Sequence, residues 1–148
     1  MSVESPVRTE LAGCVIWNAD GELLLLHRNN DGWRQWELPA GKIEEYDASP
    51  AAAGIREVEE ELGVVVEQIG DEELGQAEFE QRGKQYLYHW IGARIIDGTV
   101  RIVEQENHDE YFFFAPCRLR SLRNAGLLSP NVDLLVPKIF EGEIQPPL

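Results

Sequence analysis

Four glutamates crowd the stretch REVEEELGV (56–64), at Glu57, Glu59, Glu60 and Glu61. On an α-helix, residues three and four apart share a side. Glu57, Glu60 and Glu61 therefore project together, while Glu59 points away from Glu57. Val58 and Leu62, four apart with Ile55 adjoining, form a separate apolar face. Like charges at this spacing weaken a helix by about 0.2–0.5 kcal/mol per pair. That cost is too small to demand a function, and an isolated acidic run is first of all a solvated face. The surroundings point further. Arg56 precedes Glu57 and can orient or neutralise a carboxylate. The loop LPAGK (38–42) lies upstream, where Gly41 permits close backbone approach and offers a carbonyl. Clustered oxygens of this kind suit a hard divalent cation such as Mg²⁺. No Cys or His cluster at ligand spacing suggests zinc.

These side chains need a scaffold. Ser49-Pro50 is a helix start, with Ser as N-cap and Pro in the first turn. The helix is predicted over Pro50–Leu62, with Gly63 as its stop. Strands are predicted at 11–17 and 22–28, joined as a hairpin by the turn NADG (18–21), with the centre of the second buried on both faces. The segment 29–49 reads as a long loop, a feature often functional in a compact domain. Further strands are expected at 64–66, 74–80, 85–95, 99–104 and 110–116. Ser129-Pro130 opens a second helix, which Pro137 should kink or end. Strands, helix, strands, helix: the class is α/β, a mixed sheet flanked by helices, in one domain over 1–148.

Net charge is −14, from 27 acids against 13 bases. This argues against a nucleic-acid footprint, which needs a basic patch, and against docking on anionic membranes. A phosphate-rich ligand remains compatible if metal ions offset the local charge. The two cysteines, Cys14 and Cys117, make no disulfide framework and read as buried free thiols of a reducing compartment. MSVESPVRTE has no signal-peptide character, and no apolar run, Leu23–Leu26 included, is long enough to span a bilayer. The expected location is the cytoplasm.

GKIEEYDASPAAAGIREVEEELGV (41–64) resembles the Nudix box of the Nudix hydrolases (MutT-like). Arg56, Glu57, Val58, Glu60, Glu61, Gly63 and Val64 match its second half, and WELPAGKIE (36–44) resembles the usual lead-in. One departure stands out: between Gly41 and Arg56 this chain has one residue more than the pattern. The first glutamate of the box therefore falls on Asp47 counted forward or on Ala48 counted back. The resemblance implies the Nudix fold, a mixed β-sheet sandwiched between α-helices. It also implies Mg²⁺-dependent (or Mn²⁺-dependent) hydrolysis of a pyrophosphate bond in a nucleoside-diphosphate-linked substrate. By the same resemblance Glu57, Glu60 and Glu61 are metal ligands, the Gly41 carbonyl reaches the metal, Glu57 or Glu60 doubles as base, and Arg56 orients Glu57. Family members often add an acid from a later loop. Here EQENHDE (104–110) offers Glu104, Glu106, Asp109 and Glu110; Glu106 is the first choice and Glu110 the second, Asn107 standing at the aligned position.

A small nucleotide is the implied partner, with homodimerisation open. A nucleoside triphosphate, cleaved to monophosphate and pyrophosphate, is favoured by a compact chain without an obvious extra N-terminal dimerisation domain. A nucleotide sugar of the ADP-ribose type is the alternative. A catalytically weakened binding module is another, suggested by the extra loop residue and Asn107. An acidic interaction helix on an unrelated domain is a third. Trp33 and Trp36 could stack on a base but read first as packing. His27 and His89 read as satisfied structural histidines, and His108 is balanced between structure and substrate contact. Arg28 and Arg34 read as surface ion-pair partners before phosphate ligands. QYLYHW reads as core, sheet face or dimer contact, and YFFF as core.

Overall fold

A computed structural model describes residues 8–30 and 34–147. Trp33 lies outside the described residues. The strands form two sheets. The larger contains β1 (Arg8–Ile16), β4 (Ala40–Lys42), β5 (Val65–Gln68), β6 (Gly75–Gln81) and β7 (Lys84–Asp97). Its path is β4-β1-β7-β5, with β6 also pairing β7. β1 and β7 run parallel, Cys14 opposite Ile91, and the remaining pairs are antiparallel, so the sheet is mixed as expected. The smaller sheet has the order β3-β2-β8, from β2 (Leu23–Arg28), β3 (Trp36–Glu37) and β8 (His108–Phe114).

The expected hairpin of the first two strands is corrected. β1 has both edges taken, by β4 and β7, so β2 cannot lie beside it. A single bridge, Trp17 to Leu23, marks where they part. Asn18 closes the turn, its Oδ1 accepting from the Asp20 and Glu22 amides at 3.0 and 2.9 Å. β2 then pairs with β8, Leu25 opposite Phe112. β2 is indeed buried on both faces: Leu23 and Leu25 enter one core cluster, Leu24 and Leu26 the other.

The helix α1 (Pro50–Leu62) covers the second cluster, inserting Val58 and Leu62 against Cys14, Ile16 and Ile91. Ser49 caps it, its side chain accepting from the Ala52 amide at 3.1 Å, and the Gly63 amide closes its end on the Glu59 carbonyl. The other cluster lies under α2 (Pro116–Asn124), α3 (Pro130–Asp133) and α4 (Val136–Phe140). α2 had no counterpart in the sequence reading. Pro137 does not simply end the second predicted helix; it sits in the first turn of α4, where its missing amide costs nothing.

The predicted strand 99–104 is also corrected. Its backbone instead satisfies the open C-terminal carbonyls of α1: the Arg101 amide donates to Leu62 O and the Val103 amide to Glu61 O, at 3.1 and 3.0 Å. This clamp delivers the acidic loop 104–107 to the end of the helix. The predicted loop 29–49 contains β3 and β4. YFFF is core only in part, since Phe114 is buried but Tyr111 and Phe112 are exposed on β8. Cys117 is exposed, not buried. Cys14 is buried, and burial, with Glu61 nearby, pushes its thiol up to about 12. Among the described residues no helix is long and apolar enough to cross a membrane.

Candidate active site

The three glutamates of α1 share a side but not an environment. Side-chain exposure is 53% for Glu60, 17% for Glu57 and 4% for Glu61. α1 lies close over β1 and β4, so the last glutamate is carried under the loop before β4. There Glu61 Oε1 accepts from the Ala40 amide at 2.9 Å. Burial, and then the charges of Glu37, Glu57 and Glu104, raise its carboxyl well above the ordinary carboxylate range.

Glu57 lies against Gly41. A Cβ built on Gly41 would sit 2.1 Å from Glu57 Cδ, so only glycine lets the two meet. Burial raises the Glu57 carboxyl, as do Glu60 and Glu104, while Arg56 opposes them. Arg56 is the hub of the loop. Its Nε and Nη2 grip Asp47 at 3.0 Å each, and its Nη1 donates to Glu57 at 3.0 Å and Glu60 at 3.3 Å. Nη2 also donates to the Lys42 carbonyl at 3.2 Å.

The extra residue of the loop is accommodated at this point. Asp47, and not Ala48, faces Arg56; its Oδ2 also accepts from the Glu44 amide at 2.8 Å. The hydrogen bonds from Arg56 and then from Glu44 hold its carboxyl below the usual range. Asp47 therefore serves the arginine and does not join the glutamate group.

The late-loop acids sit differently. Glu106 is exposed on a turn, whereas Glu104 is the loop acid whose charge reaches both Glu57 and Glu61. The clamp of 101–103 on the helix end explains this, and nothing in the sequence marks it. Glu110 is exposed on β8, opposite His27. Asp109 hydrogen-bonds His27 Nδ1 at 2.8 Å. His27, Asp109 and Glu110 keep ligand atoms within 4.8 Å of one another, but two of the three already pair together. Asn107 accepts from Asn30 Nδ2 at 2.7 Å and ties the two loops.

A second charged chain, missed in the sequence, runs beneath the site. Arg28 holds Glu37 with two hydrogen bonds, at 2.7 and 2.9 Å. His108, buried, places Nε2 3.2 Å from Glu37 and Nδ1 3.6 Å from Glu61. Burial alone would raise the Glu37 carboxyl, but His108 and Arg28 outweigh it and keep it ionised. His89 is a structural histidine, bracketed by Glu73 and Glu10. Trp36 packs edge-on against Phe114, and Arg34 is exposed.

Gly41 also lines a cavity of about 300 Å³. Arg28, Glu37, Phe79, Tyr86, Tyr88 and Asn131 are among its lining residues. Phe79 and Tyr86 stack at 5.1 Å and 18° on the β6–β7 hairpin. An all-oxygen donor set, two of whose carboxyls are raised first by burial and then by neighbouring acids, fits a hard divalent cation, which would offset that repulsion. Glu57, Glu60, Glu61, Glu104 and the Gly41 carbonyl are the groups available to hold it.

The sequence profile of the NUDIX domain matches residues 7–131. No curated protein matches the chain by sequence. Among solved structures, a MutT protein from Methanosarcina mazei Go1 is similar at 24% identity and a TM-score of 0.76, covering 97% of this chain and 100% of that one. The ORF135 protein of E. coli is similar at 26% identity and a TM-score of 0.68, covering 93% and 91%. A NUDIX hydrolase from Nitrosomonas europaea reaches a TM-score of 0.77 at 18% identity, covering 96% and 94%.

Proposed function

This chain belongs to the Nudix family of pyrophosphohydrolases, and from that premise we propose that it hydrolyses a nucleoside triphosphate with Mg²⁺, releasing the monophosphate and pyrophosphate. One observation carries the reading: a cavity of about 300 Å³, with Phe79, Tyr86 and Tyr88 among its lining, opens beside the glycine that meets the carboxylate group. A base in the cavity puts its phosphates over Gly41 and the helix.

The divalent cation, when bound, neutralises pyrophosphate oxygens and makes water a stronger acid. The chain does the rest. Glu57, Glu60, Glu61 and Glu104 would hold the cation. Glu57 has one oxygen on Arg56 and lies against Gly41, and it is proposed as the acceptor of the water's proton through its other oxygen. Arg56 keeps Glu57 and Glu60 in place, and Asp47 keeps Arg56 in place. The Asp47–Arg56 grip speaks for catalysis over a weakened binding module, because the extra loop residue leaves the arginine fully engaged.

Asp47→Ala tests that link. It removes two of the hydrogen bonds that fix the guanidinium, and is expected to lower turnover about 10- to 100-fold, as loss of supporting partners at metal sites does. Steady-state assays at saturating Mg²⁺ check it; turnover equal to wild type would show that Asp47 supports nothing.

The reading as a whole is tested by incubating the protein and Mg²⁺ with triphosphates, oxidised triphosphates, ADP-ribose, nucleotide sugars and dinucleoside polyphosphates, and separating the products. Monophosphate and pyrophosphate from a triphosphate are expected. Cleavage confined to ADP-ribose or nucleotide sugars would replace the triphosphate reading with the nucleotide-sugar one. Binding without cleavage of anything would leave a binding module.

A further inference from the structure

The turn that carries Glu104 meets an opposing force. The charge of Glu104 reaches Glu57 and Glu61 on α1. With no cation between them, like charges push the loop acid outward, and burial strengthens the push. The turn must therefore be held. Its near end is clamped on the helix by the Arg101 and Val103 amides. Its far end closes on itself, the Asn107 and His108 amides both donating to the Glu104 carbonyl, at 3.0 and 3.1 Å. The tip is then fastened to a distant part of the chain, the end of β2.

The chemistry of that fastening allows one arrangement. A guanidinium only donates, so Arg28 Nη1, 3.1 Å from Asn30, must face its Oδ1. Asn30 therefore turns Nδ2 the other way, and Asn107 meets it with Oδ1, at 2.7 Å. The Asn29 amide adds a second bond, to the Asn107 carbonyl at 3.0 Å. Arg28 is itself fixed on Glu37. A continuous line of hydrogen bonds thus runs from Glu37 in the cavity lining, through Arg28 and Asn30, to the residue that closes the Glu104 turn. Asn30 and Asn107 are both half-buried and lie 77 positions apart, so nothing local brings them together.

An asparagine at 107 brings no charge to a cation, but it suits a tie. Its amide oxygen accepts from Asn30 without adding another negative group to those already crowded at the helix end. We propose that the Asn30–Asn107 pair is a positioning device, which holds the Glu104 turn against the repulsion of Glu57 and Glu61 and so keeps the Glu104 carboxylate within reach of the cation site. This deepens the reading of the carboxylate group as a cation site and rests on it. It does not depend on which nucleotide is cleaved.

The test compares wild type, Asn107→Ala, Glu104→Gln and the double variant. Mn²⁺ binding to the nucleotide-free proteins is followed by electron paramagnetic resonance, and turnover is measured on triphosphates with Mg²⁺. Asn107→Ala is expected to weaken Mn²⁺ binding about 10-fold and to lower kcat by a similar factor, with KM within about twofold, as for loss of a supporting partner at a metal site. Glu104→Gln is expected to weaken Mn²⁺ binding at least as much. Adding Asn107→Ala to it should change nothing further, because the tie acts through the Glu104 carboxylate. A double variant weaker than Glu104→Gln by the full factor of Asn107→Ala overturns the proposal, since Asn107 then acts through another group. Unchanged Mn²⁺ affinity in Asn107→Ala overturns it too. If melting in chelator shows that Asn107→Ala does not fold, Asn30→Ala cuts the tie from its other side and takes the same place in the Mn²⁺ comparison. Absence of Mn²⁺ binding to the wild type overturns the cation reading and the proposal together. The expected Mn²⁺ pattern without cleavage of any triphosphate sustains the tie and removes only the triphosphate reading.

Discussion

Glu61→Gln is expected to cut kcat/KM for the hydrolysed nucleotide by about 10²–10⁴-fold, the range for loss of a group acting directly in proton transfer or charge stabilisation, with the fold intact. Glu61 is the most buried member of the carboxylate group, and Glu37, Glu57 and Glu104 all press on it. Glutamine keeps its shape and can still accept from the Ala40 amide through Oε1. It cannot supply the negative charge that holds a cation.

The stability of the metal-free protein separates this reading from mere damage. Folding raises the proton affinity of Glu61. Between the ordinary carboxylate value, about pH 4.3, and the raised one, the folded state therefore binds more protons than the unfolded state. Stability falls as pH rises through that window. The Gln variant lacks this contribution, so in chelator it should melt at or above the wild-type temperature near neutral pH. The two proteins should converge below the window. Melting curves across pH, with and without Mg²⁺, give the comparison. Near-wild-type turnover in the variant would remove Glu61 from the metal-ligand set.

Gly41→Ala is expected to produce a folded protein with about 10²-fold less activity, the scale of a roughly 1 Å misplacement of a catalytic group. The new methyl would lie 2.1 Å from Glu57 Cδ and 2.3 and 2.5 Å from its oxygens. Those atoms end a flexible side chain, so the cheapest relief is for Glu57 to swing aside, with little cost to the melting temperature. The carboxylate then leaves the group that it shares with Glu61, and loses its alignment with Arg56. Turnover and melting temperature, measured together, distinguish this from collapse of the loop. Full activity with an unchanged Mg²⁺ requirement would mean that Glu57 needs no particular place beside Gly41.

Much of the helix was legible because its causes are local. Ser49, Pro50 and Gly63 act within a turn of where they stand, and Val58 and Leu62 fall on the buried face by spacing alone. Arg56 beside Glu57 was legible for the same reason, since the two are neighbours on one helix, whereas its grip on Asp47 was not, because it depends on how the loop before the helix folds back. In the larger sheet β1, β5, β6 and β7 also announced themselves by composition, since β-branched and aromatic residues suit a pleated, half-buried surface, whereas the short β4 was read as loop.

The sequence by itself determined the capped helix, the acids on its flank and the glycine beside them. The tertiary structure decided which acid is buried, which loop acid joins it and what lies next to it. Glu104 reaches the helix only because residues 101–103 satisfy open carbonyls at its end. Glu37 and His108 meet across 71 positions, and the cavity beside Gly41 draws its lining from both sheets and from α3. β2 leaves β1 because a strand has two edges and both were taken. The physical reason is common to all of these. Capping and helical periodicity act between neighbours in the chain, whereas sheet pairing, burial and the charges that burial strengthens depend on which distant segments are brought together.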